Sequence, residues 1–283
     1  MPRGQLLRAA LRGRSTTVVE YARLNDAPSA SRLCLMLPCS GSNYKQWQPL
    51  AAEVSDKVAA VGVNLFGAGE SSIPEGELQL ADQAEAVVAV AHEMDGLPIS
   101  LVGHSWGGAV AIKAAQRLAS LGRHVESIVL FEPNAVFLLP EEAPAPGPIK
   151  RAWSAFIPKE GAMDATIASQ VHEFWHGSGS WANLSAGAQT KMVQSLHTLP
   201  LELAMMLNDP QPPHEQLAVL EGINAKKHFL FGRVATAQMI HRLADVLAER
   251  AGFETHALPS IGHMGPITDA PQVARHIAQL ASL

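Results

Sequence analysis

The sequence has little cysteine, no surplus of positive charge and no long apolar run, and each shortage excludes a class of protein. Its two cysteines, Cys34 and Cys39, are too few for a disulfide framework, so a reducing cytoplasm is the expected location. The net charge of -5 and the pI near 6.2 argue against nucleic-acid binding, which requires a basic surface. No stretch approaches the ~20 apolar residues that a membrane span needs.

The composition is that of a folded globular protein. Of the 283 residues, 47% are hydrophobic and 17% are charged, which suits a large apolar core rather than a disordered chain. The N-terminal sequence MPRGQLLRAALRGRS is rich in arginine, lacks acids and allows two interpretations. It could be a transit peptide, or residues 5–11 could form a strand that turns at Gly13 into a second strand at 16–24. The β-branched residues of the second segment favour the hairpin.

Short apolar runs alternate with segments of helical periodicity along most of the chain. Such runs suit parallel strands buried on both faces, and strands interleaved with helices indicate crossover units in a parallel sheet. The predicted fold class is therefore α/β. The predicted strands are residues 32–38, 58–67, 99–105, 126–133, 226–232 and 253–258, and the predicted helices are residues 47–55, 80–94, 109–121, 238–251 and 270–283.

The alternation stops between residues 134 and 225, where proline-rich loops and helical pieces replace strands. A segment of this length between two sheet strands is too long for a loop and indicates an inserted subdomain. Its tryptophan, phenylalanine and methionine residues give it an apolar face. We therefore predict a core at residues 1–133 and 226–283, with residues 134–225 as a helical cap over one edge of the sheet.

The sequence GHSWG at residues 103–107 follows a predicted strand and precedes a predicted helix. Its glycines permit a sharp turn that lifts the Ser105 hydroxyl above the sheet, and the helix N-terminus beneath offers N–H groups to an oxyanion. A serine nucleophile needs a histidine base and a carboxylate that orients this base. His263 lies after the last predicted strand, at the sheet edge where ligands of α/β proteins bind. These residues predict nucleophilic catalysis.

The chain resembles the α/β-hydrolase family nearly from end to end. The resemblance is carried by GHSWG, by GHMGPI around His263, and by NLFGAGESS, in which Asn64 stands where the family has aspartate. It implies a mostly parallel central sheet with helices on both faces and a helical cap inserted after the sixth strand. It further implies a serine hydrolase that uses no cofactor.

The acid of the implied catalytic triad differs from the family pattern. Many members carry an aspartate in the loop after the seventh strand, which here reads FGRVATAQ, and Asp245 lies too far along the next helix. Glu132 ends the sixth predicted strand, where a buried glutamate would need a partner, so we predict that it pairs with His263. A structural role for Glu132, or a contribution from Asp209 or Glu221, remains an alternative.

The loop after the third strand also differs, because Pro-Cys-Ser stands near the position where members have His-Gly. The resemblance implies an oxyanion hole formed by the backbone N–H groups of Trp106 and Ser40. Pro38 fixes φ and lacks an N–H group, which constrains this loop. Cys39 could be a rival thiol nucleophile, but no catalytic pattern surrounds it, and a small buried cysteine is the more common case.

The sequence HEFWH at residues 172–176 matches the His-Glu-x-x-His pattern of zinc peptidases. That pattern needs a third ligand, and no downstream residue has a suitable placement. We therefore predict no metal site and assign His172 and His176 to cap packing or to the lining of a pocket.

The predicted function is cleavage of an ester, thioester, lactone or amide of a small apolar molecule through an acyl-enzyme. Two alternatives remain, namely carbon–carbon bond hydrolysis by the same triad and a non-catalytic binding protein. The apolar cap predicts a dry pocket, without a nucleic-acid partner or a membrane span, in a monomer or a homodimer. The predicted substrate-binding residues are Cys39, His104, Phe174, Trp175 and Met264.

Overall fold

One sheet of eight strands lies at the centre of the computed structural model, which describes residues 4–11, 16–94, 96–140, 147–158, 163–232 and 238–283. The strands are β1 (Gln5–Ala9), β2 (Thr17–Arg23), β3 (Arg32–Leu37), β4 (Val58–Val63), β5 (Ile99–His104), β6 (Val125–Phe131), β7 (Lys226–Gly232) and β8 (Glu254–Leu258). Their order is β1-β2-β4-β3-β5-β6-β7-β8. β2 is antiparallel to β1 and β4, and the other pairs are parallel.

Helices cover both faces of this sheet. The α-helices of the described residues are α1 (Gln48–Ala51), α2 (Leu80–His92), α3 (Trp106–Ser120), α4 (Pro148–Ser154), α5 (Ala165–His176), α6 (Ala186–Ser195), α7 (Leu199–Leu207), α8 (Pro213–Gly222), α9 (Gln238–Ala251), α10 (Gly265–Thr268) and α11 (Ala270–Leu280). The α/β class and the mostly parallel sheet with helices on both faces are thereby confirmed.

The two-residue period of the strands divides the core into two layers. In β3, Leu33 and Leu35 face the layer formed with α2, α3 and α9. The alternate residues Cys34 and Met36 face the layer formed with α1 and α11. A strand that is apolar at every position can therefore bury both of its faces, which is why the sequence shows continuous apolar runs rather than alternation.

The predicted N-terminal hairpin is present as an antiparallel pair. Gln5 of β1 lies opposite Tyr21 of β2, and Ala9 lies opposite Thr17. The predicted turn at Gly13 falls outside the described residues.

Some predicted boundaries differ from the observed ones for local reasons. The strand predicted at 58–67 ends at Val63, because the chain turns at Gly67 and Gly69, which both have positive φ. The helix predicted at 109–121 begins at Trp106, so that Ser105 directly precedes its first turn. This earlier start places the serine at the helix N-terminus.

The segment between β6 and β7 contains α4 to α8 and no strand among its described residues. Aromatic rings pack edge to face within it, since Trp153 contacts Phe156, Phe174 and Trp175 with ring-centroid distances of 5.3–6.0 Å. The apolar side chains of the segment continue the core layer that covers one face of the sheet. Among the described residues, no helix is both long and apolar enough to cross a membrane.

Candidate active site

Ser105 lies in a sharp turn between β5 and α3. Its φ is 54° and its ψ is -117°, a conformation that costs a non-glycine residue roughly 1–3 kcal/mol. The turn requires glycine at its flanks. A Cβ on Gly103 would lie 2.5 Å from the Gly107 carbonyl oxygen, and one on Gly107 would lie 2.5 Å from the Pro38 carbonyl oxygen. Close backbone contacts on both sides of Ser105 therefore require glycine at these two positions of GHSWG.

Ser105 forms one end of a hydrogen-bonded series of three buried side chains. Its Oγ is 3.1 Å from Nε2 of His263, and Nδ1 of the same ring is 2.8 Å from Oε2 of Glu132. The exposed fractions of these residues are 3%, 3% and 0%, respectively. When Nδ1 donates to the carboxylate, Nε2 is left to accept the serine proton.

Backbone contacts fix the position of Glu132. It directly follows β6 with φ at 40°, its N–H group donates to the Leu230 carbonyl, and its Oε1 accepts a hydrogen bond of 2.8 Å from the Gly232 N–H group. The neighbouring strand β7 thus holds the second carboxylate oxygen while the first faces His263.

The other acids considered from the sequence have different surroundings. Asp209 pairs with the buried Lys113 at 2.8 Å, and Glu221 and Asp245 are exposed. The loop after β7, which lacks a carboxylate in sequence, lies outside the described residues at positions 233–237.

The environment of His263 favours its neutral form. Burial lowers the pKa of the imidazole below its ordinary value, and the charge of the nearby His176 lowers this pKa further. The indole of Trp175 on α5 stacks on the imidazole, with ring centroids 3.4 Å apart and planes 7° from parallel. A neutral imidazole can accept a proton, which is what a general base requires.

His104 contacts the backbone of His263 and does not line the cavity beside Ser105. It is fully buried, and burial lowers its pKa to about 3. One ring nitrogen lies 2.8 Å from the backbone carbonyl of His263, and the other lies 3.0 Å from the Gln46 side-chain amide. Gln46 in turn accepts from the Cys39 N–H group at 3.3 Å. This chain of contacts links the His263 loop to the loop after β3.

The groups expected to form the oxyanion hole lie at two backbone positions. Trp106 is the first residue of α3, where N–H groups have no partner within the helix. Ser40 lies in the loop after β3, and its Oγ donates to the Glu202 carboxylate of α7. Thr198 donates to the other oxygen of Glu202 at 2.7 Å. The buried Glu202 therefore ties the segment between β6 and β7 to this loop.

Glu202 was not singled out in the sequence, although a signal was available. It is the one charged residue in LPLELAMML, the sequence of α7. Burial raises the pKa of its carboxyl, whereas the hydrogen bonds from Ser40 and Thr198 lower it. An acid inside an apolar helix needs such partners, so the pattern indicates a buried polar contact without naming the partner.

Cys39 is buried beside the site. Burial, together with the charge of Glu202, raises the pKa of this thiol to about 12. Its Sγ lies 3.3 Å from Oε1 of Gln46. Since the thiolate is the nucleophilic form of cysteine, this raised pKa disfavours the reactive form of Cys39.

A cavity of about 370 Å³ opens beside Ser105 and His263. Cys39, Trp175 and Met264, which the sequence predicted to bind substrate, line this cavity, and their role in binding stays a prediction. Phe174 does not line it and instead packs against Trp153, facing a neighbouring cleft. The apolar side chains that line the cavity are Trp153, Val171, Trp175, Leu184, Ala188, Met192, Leu196, Leu199, Met264 and Ile267.

The HEFWH sequence contributes to the wall of the same cavity. His172 and His176 line it, and their rings stack with centroids 4.4 Å apart. Glu173 accepts a hydrogen bond from the Gly179 N–H group at 3.0 Å. In the described part of the chain, no third ligand-type side chain joins the two histidines.

The chain matches a family model described as the alpha/beta hydrolase family over residues 34–276. An uncharacterised protein of Mycobacterium tuberculosis is 25% identical over 120 residues, which cover 42% of this chain and 34% of that relative. The match thus spans about a third of the relative's length.

Solved structures of low sequence identity to this chain have the same fold. A thermophilic esterase from Thermogutta terrifontis is similar with a TM-score of 0.70 and 16% identity over 97% of both chains. The enol-lactonase from Burkholderia xenovorans LB400 is similar with a TM-score of 0.68 and 17% identity, over 98% of this chain and 100% of its own. At these identities, the likeness establishes the fold.

Proposed function

The chain belongs to the alpha/beta hydrolase family, and from this we propose that it is a serine hydrolase that cleaves an ester, thioester, lactone or amide. The observation that carries the proposal is the hydrogen-bonded series of Ser105, His263 and Glu132, with distances of 3.1 and 2.8 Å. A serine, a histidine and an acid joined in this way form the arrangement that activates a serine hydroxyl.

In the proposed first step, Ser105 Oγ attacks the substrate carbonyl carbon while its proton passes to Nε2 of His263. Glu132 keeps the ring oriented through Nδ1 and stabilises the imidazolium that forms. The backbone N–H groups of Trp106 and Ser40 hold the oxyanion of the tetrahedral intermediate. The intermediate then collapses, the leaving group takes the proton from His263, and the acyl group remains on Ser105.

In the second step, water hydrolyses the ester bond between the acyl group and Ser105. His263 removes a proton from the water as the water oxygen attacks the acyl carbon. The second tetrahedral intermediate collapses to the free acid, and Ser105 Oγ regains its proton from the imidazolium. One water molecule is consumed over the cycle for each substrate acyl bond that is cleaved.

The cavity supports a small and largely apolar substrate. Its volume of about 370 Å³ lies at the small end of the range for ligand pockets. Trp153 and Trp175 give it apolar walls, while Ser42 and Ser195 add hydroxyl groups. Such a site favours a short acyl or alcohol group, with the walls contributed by α5, α6 and α7 selecting its shape.

A fluorophosphonate probe tests the proposal directly, because it reacts covalently with an activated serine. We expect the wild-type protein to be labelled at Ser105 and to hydrolyse p-nitrophenyl butyrate. Ser105→Ala should lose both the label and the hydrolysis. Ser42→Ala is the matched control, since it removes a hydroxyl from the same cavity and should keep the label.

The competing possibility is a binding protein that keeps the fold without turnover. A folded wild-type protein that neither reacts with the probe nor hydrolyses esters would contradict the proposal and favour that alternative. Labelling of Ser105→Ala at an undiminished rate would show that another residue is the nucleophile.

A further inference from the structure

Three metal-ligand side chains meet on one face of β7 and β8, away from the cavity described above. The parallel register places His228 of β7 opposite Glu254 of β8. His256 follows Glu254 by two positions, and side chains two positions apart in a strand point to the same face. All three residues therefore lie on the face that also carries Leu230 and Leu258, which pack against α11.

The ligand atoms of these three side chains surround one point. Nδ1 of His228 lies 3.1 Å from Nε2 of His256. Oε2 of Glu254 lies 3.5 Å from the first nitrogen and 3.9 Å from the second. In a tetrahedral zinc site with metal–ligand distances of ~2.0–2.1 Å, neighbouring ligand atoms are about 3.3 Å apart. We propose that His228, Glu254 and His256 bind a Zn²⁺ ion.

The donor set and its exposure fit this ion. Two imidazole nitrogens and one carboxylate oxygen are ligands that Zn²⁺ takes in proteins, with water in the fourth position. His228 is mostly buried and fixed by the sheet, whereas Glu254 is 69% exposed. The buried ligand provides a rigid anchor, and the exposed carboxylate leaves a path by which the ion and its water can enter.

One nearby positive charge opposes the binding of a cation. Lys226 begins β7, and its Nζ lies 3.0 Å from Oγ of Ser282. The charge of Lys226 acts on the imidazole of His228 and should weaken zinc binding through space.

The proposed ion would join the last two strands of the sheet. β8 pairs with β7 along one side and is the outermost strand of the described sheet. A ligand that binds only the folded state stabilises that state, so zinc should stabilise the edge of the sheet that β8 forms. The proposal does not depend on hydrolase activity, because none of its residues lines the cavity beside Ser105.

Zinc titration of the EDTA-treated and dialysed protein tests the site. We expect one equivalent of Zn²⁺ to bind by isothermal titration calorimetry and to raise the melting temperature. His256→Gln and Glu254→Gln should each weaken binding roughly tenfold or more, since even changes in the groups that support metal ligands have effects of this size. His276→Gln on α11 is the matched control, because this histidine hydrogen-bonds to Gln272 within its own helix.

A second variant separates this site from the histidine pair of the HEFWH sequence. His172→Gln should leave the zinc affinity unchanged. Unchanged affinity in both His256→Gln and Glu254→Gln would overturn the proposal, and so would a loss of affinity in His172→Gln alone. Glu254 is exposed, so its substitution tests the site without disturbing the core.

Discussion

Ser105 and Glu132 both have positive φ angles although neither is a glycine. They directly follow the adjacent parallel strands β5 and β6, and their backbones are held by neighbours. The N–H group of Ser105 donates to the Phe131 carbonyl, and the Ser105 carbonyl accepts from the Asn134 N–H group. Strained residues persist where the surrounding structure fixes them. The sheet thus holds the hydroxyl and the carboxylate on either side of His263.

Removal of the Glu132 charge tests this arrangement at the level of one residue. We expect Glu132→Gln to lower kcat by about four orders of magnitude, because an amide can no longer hold the imidazole in the required tautomer. The amide oxygen can still accept from the Gly232 N–H group, so the free energy of unfolding should change little. Ester hydrolysis and urea denaturation measure the two effects.

Glu221→Gln provides the control for that substitution, because Glu221 was an alternative acid and is exposed. It should retain wild-type kcat. Equal activity of Glu132→Gln and the wild-type protein would mean that a different carboxylate orients His263.

At the residue level, the sequence predicted Ser105, His263 and Glu132. It did not predict all of the residues that hold these three in place. GHSWG and GHMGPI identify Ser105 and His263 by local pattern, and Glu132 follows from the end of a strand. His104 was expected to bind substrate, yet the structure places it beneath His263, away from the cavity. A side chain next to Ser105 in sequence can point to the opposite side of the turn, and only the packing shows which side.

Two helices of the segment between β6 and β7 contact the site. Trp175 on α5 stacks on His263, and Glu202 on α7 binds the Ser40 hydroxyl. The first contact covers one face of the imidazole, and the second holds a loop that we propose as part of the oxyanion hole. If the proposed function holds, both helices should therefore affect the chemical step as well as substrate binding.

Loss of the contact between α7 and the loop should impair catalysis more than binding. We expect Glu202→Ala to lower kcat by roughly 10- to 1000-fold with a smaller change in KM. The expected range follows because a misplaced oxyanion donor costs up to ~3–4 kcal/mol in the transition state. Steady-state kinetics with p-nitrophenyl butyrate provide the measurement.

Glu215→Ala on α8 is the matched control, since this glutamate is exposed in the described structure. It should keep kcat within about twofold of the wild-type value, because exposed substitutions away from a site have small effects. If Glu202→Ala raises KM alone, the carboxylate contributes to substrate binding rather than to placement of the loop.

Element positions were predicted better than element ends. Apolar runs and helical periodicity located the strands and helices of the sheet-containing part, because burial imposes those patterns locally. Ends depend on single turns, as at Gly67, and on helix starts such as Trp106. The division into a core and a cap at residues 134–225 stays a prediction, as do the cytoplasmic location and the oligomeric state.

The cavity is a property of the whole molecule, because its walls come from distant parts of the chain. Ser105 and His263 form its floor at the edge of the sheet, while α5, α6 and α7 supply much of its apolar wall. Neither set of residues encloses a site by itself. The size of the enclosed space should therefore set the preferred substrate length.

A series of p-nitrophenyl esters of increasing chain length measures this preference. We expect kcat/KM to be highest for short or medium acyl chains and to fall for long ones, because the volume of about 370 Å³ limits what fits. Met192→Ala removes bulk from the cavity wall and should shift the optimum toward longer chains.

Val193→Ala is the control for this enlargement, because Val193 lies beside Met192 in α6 but does not line the cavity. It should leave the chain-length profile unchanged. A profile that rises steadily to long chains in the wild-type protein would mean that the cavity does not bound the acyl group.

The sequence alone determined the alternation of strands and helices, the sharp turn at Ser105 and the loop that carries His263. These features depend on neighbouring residues, because burial sets the local period and glycine permits close backbone approach. Only the tertiary structure decided that Glu132 reaches His263 from 131 positions away, and that Glu202 reaches Ser40. Such contacts depend on strand order and on the packing of distant helices, which no local stretch of sequence encodes.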